Sequence, residues 1–184
     1  MGADMKHFLF ILLIFSASKI WSAPLPESLF KAIAEIENVN SMRESLAITI
    51  PENEKANLET FKSVCKPVGM RLQSLNKENQ WSIRQASDKF RNPQHKAQGI
   101  EIKAINMFKK DKSLVSFISD SQEKDKIGFY YFRRINVQTS CLKCHGMKNK
   151  RPDFVIQKYP NDKAFGFSVG DLRGIYSFFV EVKK

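Results

Sequence analysis

The sequence predicts an α+β domain built on an antiparallel sheet, and three observations predict it. The N-terminal half carries apolar residues at helical spacing: Leu29, Ile33, Ile36, Met42 and Leu46, then Leu58, Phe61, Cys65, Val68, Leu72 and Leu75. At Trp81 the period changes, and residues 81–87 (WSIRQAS) alternate apolar with polar as a half-buried strand does. Beyond them, runs rich in β-branched and aromatic residues are separated by turns. Helices followed mostly by strands favour α+β over an alternating parallel fold.

The elements follow in order. Leu25-Pro26-Glu27-Ser28 reads as a helix entry, because a missing N–H is harmless in the first helical turn. A second helix begins near Glu54 and runs to about Leu75. Pro67 inside it predicts a kink or split, since proline lacks the N–H and crowds the carbonyl four residues back. Residues 91–95 (RNPQH) read as a loop, as the residue before a proline is biased out of the helical region. Residues 99–110 carry Ile102, Ile105, Met107 and Phe108 and read as a helix. Residues 114–119 and 128–137 read as strands, 151–163 as turns around Pro152 and Pro160. Residues 165–169 and 174–182 read as two closing strands about Gly170-Asp171.

The first residues carry a different signal. Met5-Lys6-His7, an unbroken apolar run over 8–15 (FLFILLIF) and Ser16-Ala17-Ser18 have the order of a secretory signal peptide. The run is too short for a permanent membrane span. Cleavage falls between 18 and 23, giving a leader of 1–23 and an exported, periplasmic-type domain of 24–184. About 160 residues are enough for one domain with a real core. The net charge of +11 suits an acidic protein partner, an anionic surface or the propionates of a porphyrin. Export makes nucleic acid a poor partner.

Cys141-Leu142-Lys143-Cys144-His145 is a Cys-x-x-Cys-His sequence. Two thiols three residues apart lie on one side of a helical turn, where they can add to the two vinyl groups of a porphyrin. The adjacent imidazole then reaches the iron as proximal ligand. This predicts one covalent haem c held by Cys141 and Cys144 and ligated by His145. A thiol–disulfide motif or half a zinc site are the alternatives. An exported compartment is where such a haem is attached, so the leader and the motif agree.

With three cysteines in the chain and two engaged, Cys65 has no disulfide partner. It is either an inert apolar thiol or an iron ligand. Lys62 and Lys66, one turn either side, would favour its thiolate. Rival sixth ligands are His95, Met70, Met107 and Met147. Packing suits Met70 and Met107, and Met147 is too close to His145 to reach the opposite face. Arg84 and Arg91 are candidates to pair with haem propionates, since a guanidinium binds a carboxylate bidentately; alternatively, Arg91-Asn92-Pro93 simply fixes a turn. The aromatic run 129–132 is expected to wall the haem pocket on one face and the core on the other, with core alone as the alternative.

Residues 84–93 (RQASDKFRNP), 130–146 (YYFRRINVQTSCLKCHG) and 159–178 (YPNDKAFGFSVGDLRGIYSF) together resemble a bacterial family of single-c-haem proteins with a PAS-like fold. Its members occur alone after a signal peptide or as extracytoplasmic sensor domains of histidine kinases. The resemblance runs from about Ala32 to Val182. It implies a haem packed against sheet and helices, with the motif histidine and a cysteine thiolate from an N-terminal helix as axial pair. Cys65 matches that cysteine. Two departures are His95, where the family usually has a small polar residue, and the absence of an aromatic before the acidic residue matching Glu101.

No Ser/His/Asp arrangement, paired carboxylates or phosphate loop points to an enzyme. The expected function is an exported monohaem c-type cytochrome in redox sensing or electron transfer, with an acidic redox protein as partner. A simple carrier with His/His or His/Met ligation is the alternative. A haemless CxxC redox protein is disfavoured, because no βαβ pattern precedes the motif.

Overall fold

The computed structural model describes residues 25–123 and 126–182. The expected leader therefore lies outside the described residues. Helix α1 spans Glu27–Ile48, entered at Pro26, and buries Leu29, Ala32, Ile36 and Val39 at intervals of three or four. The next helix starts at Asn57, beyond the predicted Glu54. The Asn57 side chain accepts from the Thr60 N–H (2.9 Å), and the Thr60 hydroxyl accepts from the Asn57 N–H (3.1 Å), a reciprocal cap.

From that cap the chain runs through α2 (Leu58–Thr60), a π-helical segment Phe61–Cys65, and α3 (Lys66–Asn79). The split expected of Pro67 is thus a change of winding. Proline at 67 cannot donate to the carbonyl four residues back, and the wide π turn lies immediately before it. Gln80 then closes α3 in the left-handed region (φ 55).

Four strands form one antiparallel sheet in the order β1-β4-β3-β2: β1 Arg84–Ala86, β2 Ser116–Glu123, β3 Lys126–Asn136 and β4 Leu172–Glu181. Tyr131 pairs with Phe178, and Phe132 with Phe117. Alternation sends Tyr131, Ile135, Tyr176 and Phe178 to one face, against α1 and α3. Phe132, Ile175 and Ala86 go to the other, against α4 (Ile100–Lys110). The architecture is α+β with an antiparallel sheet, as the sequence predicts, and helices cover both of its faces. No helix among the described residues is long and apolar enough to cross a membrane.

Three local expectations are corrected. The strand over 81–87 shrinks to the three residues of β1. Residues 165–169 are a loop, because Phe167 buries into a small cluster with Val137 and Ala164 rather than pairing into the sheet. The turn-rich stretch 151–163 contains a short helix, α6 (Asp153–Lys158). Within the aromatic run 129–132, Tyr131 packs into the core on one sheet face and Phe132 into the core on the other.

Candidate functional site

The site begins where β3 ends. The Val137 N–H donates to the Asp171 carbonyl (2.9 Å) and the Val137 carbonyl accepts from the Gly170 N–H (2.8 Å), so the Gly170-Asp171 turn fixes the exit of the strand. A 3-10 turn, Thr139–Cys141, then leads into the single-turn helix α5 (Leu142–His145). Cys141 and Cys144 come three residues apart on this turn, with His145 adjacent. Gly146 stops it: a Cβ there would stand 2.6 Å from the Leu142 carbonyl oxygen. The loop 164–167 wraps the turn, the Gly166 and Phe167 N–H groups donating to the carbonyls of Gly146 (2.6 Å) and His145 (3.2 Å). Gly166 adopts φ +68, a conformation suited to glycine.

That wrap orients the imidazole. His145 Nδ1 lies 2.8 Å from the Ala164 carbonyl oxygen, which can only accept, so Nδ1 carries the proton. Nε2 is left as the electron-pair donor of the ring, the tautomer a metal-bound histidine uses. Burial, then the Arg173 and Arg91 charges, hold the imidazole well below its ordinary pKa against the opposing Ala164 bond. The ring is therefore neutral.

Arg91 braces the turn from the protein side. Its Nη2 lies 3.3 Å from the same Nδ1 and donates to the Cys144 carbonyl at 2.6 Å. Its Nε meets Asp162 Oδ1 at 3.3 Å. Asp162, its side chain fully buried, also accepts from Arg151 (2.9 Å) and from the Ala164 N–H (2.8 Å). Burial alone would raise the Asp162 pKa, but the Ala164 N–H, Arg151 and Arg91 hold it below the usual carboxylate range.

Cys65 closes the π segment, which packs against α1. The residue has exposed surface, yet its thiol is pushed up to about 11, first by burial and then by the Cys144 and Cys141 sulfurs. Arg91 and Arg173 pull the thiol pKa back down. Arg173 itself is lowered to about 10, by burial and by Arg91, while Asp162, Cys65 and Cys141 oppose. One neighbourhood thus contains Cys65, Cys141, Cys144, His145, Arg91 and Arg173. The cations acting on Cys65 are these two arginines; Lys62 is instead paired with Glu59 at 2.8 Å.

The other sequence candidates are placed differently. Both arginines expected to meet propionates have protein partners. Arg84 pairs with Glu101 (3.0 Å) and donates to the Lys96 carbonyl (2.9 Å), joining β1 to α4 and the loop between them. The turn at 91–93 is fixed by Asn92, whose side chain accepts from the Gln94 N–H (3.1 Å). His95 is half-buried in the turn Pro93–His95 and is lowered by burial and by the Arg173 and Arg84 charges, so it approaches Arg173 from the β1 side. Met70 and Met107 are about half exposed rather than packed, and Met147 lies on the surface. Arg173 was not singled out from the sequence. Its only signal was membership of GDLRG, where the turn residues draw attention away from the arginine.

Fold and site together define a class: a PAS-like α+β domain with a Cys-x-x-Cys-His turn facing a helix-borne cysteine. The chain belongs to the Tll0287-like family, whose model matches residues 25–181. It is similar to a solved structure described as the crystal structure of the cyanobacterial haem protein Tll0287, with 42% sequence identity and a TM-score of 0.75. The match covers 86% of this chain and 97% of that one. No curated protein matches.

Proposed function

We propose that this protein is an exported, single-haem c-type cytochrome serving redox sensing or electron transfer, with Cys141 and Cys144 as attachment points, His145 as proximal ligand and Cys65 as distal ligand. The observation that carries the reading is the neutral His145 ring, its Nδ1 committed to the Ala164 carbonyl, in the same neighbourhood as three thiols. The haem-protein relative supports it. A covalently attached haem supplies a one-electron ferric/ferrous couple.

The residues prepare that chemistry in three ways. Ala164 holds the imidazole as the ligating tautomer. Arg91, anchored by Asp162, holds the Cys144 carbonyl and hence the turn. Arg91 and Arg173 favour the anionic form of Cys65. Among the described residues no carboxylate lies within 4.0 Å of Arg173, so its charge is available to the thiolate. A thiolate ligand donates charge, stabilises ferric iron and lowers the reduction potential. His95 as distal ligand is the second reading, favoured by its proximity to Arg173; Cys65 is preferred because it lies in the neighbourhood of Cys141 and Cys144 themselves.

The test is Cys65→Ala in the haem-loaded protein. The ferric absorption and electron paramagnetic resonance spectra are expected to lose their thiolate character. Unchanged spectra would eliminate Cys65, and a parallel change in His95→Ala would install His95 instead. Carbon monoxide binding to the reduced form, displacing the distal ligand, is the expected mark of a sensor. Rapid exchange with a redox protein and no such binding marks a carrier.

A further inference from the structure

Lys143 stands between the two thiols of the attachment turn, and its side chain has an assigned task. Its Nζ donates to the backbone carbonyls of Pro51, Glu52 (2.9 Å) and Glu54 (2.5 Å). An ammonium has three N–H donors, and three carbonyls from one short loop meet them. This loop joins α1 to the helix that carries Cys65. It holds itself weakly, with a 3.3 Å turn bond from the Glu54 N–H to the Pro51 carbonyl. Charge-assisted bonds are stronger than neutral ones, so the cation is the main fastening of the loop to the rest of the molecule. The π segment further on has its own tie: the Phe61 ring lies 5.9 Å from that of Phe154 on α6.

We propose that Lys143 is a latch, which fixes the loop 51–54 against the attachment turn and thereby sets how readily the distal position opens to an outside ligand. The geometry explains the direction of coupling. The residue that fastens the loop belongs to the turn bearing His145, while the loop feeds the segment bearing Cys65. A displacement of the turn is passed through one ammonium to that segment. The latch at the loop stands on the hydrogen bonds alone; its effect at the iron rests on the assignment of Cys65 as distal ligand.

The experiment uses the full haem-loaded protein with Lys143→Met, which keeps the stem and removes the charge. Lys143→Gln is made beside it, so that a variant that fails to mature does not decide the matter. Two quantities are measured: amide hydrogen exchange over 51–65, and the association rate of imidazole with the ferric protein. Exchange there should accelerate while β3 and β4 are unaffected. Imidazole should bind at least about tenfold faster, because the variant loses all three charged hydrogen bonds of the ammonium. Unchanged exchange over 51–65 overturns the latch. Faster exchange with an imidazole rate within twofold of the parent overturns the coupling to the distal position. Failure of the underlying assignment is seen separately, as a Cys65→Ala ferric spectrum identical to the parent, and leaves the exchange result to judge the loop.

Discussion

The carbonyl of Ala164 decides what His145 can do, because an acceptor there leaves only one nitrogen of the ring able to donate electrons. The same residue's N–H ends on Asp162, so imidazole, Arg91 and Asp162 form one connected support. Its pH response follows from sign. Asp162 has a folded pKa below its unfolded value, so its contribution is complete above the ordinary carboxylate range near about 4 and is lost as pH falls through the lowered value. Asp162→Asn should therefore lower stability at neutral pH and flatten the acid loss below about pH 4, as read by denaturant unfolding at several pH values. An unaltered acid slope would remove Asp162 from the support. At this scale the sequence was most legible in the spacing of Cys141, Cys144 and His145, which the fold gathers on one short turn. Arg91 was found, but its protein partners were not, because they lie 53 to 73 positions away in the chain and leave no local pattern.

Among the elements, the short helix α5 is set by what ends it. A Cβ at Gly146 would stand 2.6 Å from the Leu142 carbonyl oxygen, where a methyl group has no room and backbone has to shift. Gly146→Ala should cost about 1–3 kcal/mol and lower the yield of haem-loaded protein, measured by the unfolding midpoint and by haem content per chain. A midpoint equal to the parent would show that the turn relaxes freely. The long elements were readable because each buries a whole periodic face: α1, α3 and the paired strands β3 and β4. The loop 165–169 was misread because Phe165 and Phe167 alternate as they would in a strand. Their alternation instead reflects packing of Phe167 behind the attachment turn and stacking of Arg151 over Phe165. Pro67 announced a break in the second helix, but nothing local says that the break takes the form of a π turn ending at Cys65.

As a whole molecule, the protein closes a site between distant parts of the chain. The N-terminal helices bring Cys65, the segment after β3 brings the attachment turn, and β4 brings Arg173. The fold class was legible because the long helical spacing of the N-terminal half gives way at Trp81 to mostly strand-like runs. The grouping of Cys65, the Cys-x-x-Cys-His turn and Arg173 was not, since it exists only when these three parts meet. The surrounding charge of +11 makes its own prediction for electron exchange. Oxidation of the reduced protein by ferricyanide, an anion, should slow as ionic strength rises from about 0.01 M to 0.15 M, where the Debye length falls from about 30 Å to 8 Å. A rate that is flat with salt would mean that the basic surface does not steer reagents to the iron. The measurement that bears most directly on the whole account is the intact mass of the secreted protein. It should exceed the processed polypeptide by about 616 Da, the weight of one haem c adduct, and the excess should vanish in Cys141→Ser/Cys144→Ser. A mass equal to the bare polypeptide would contradict it.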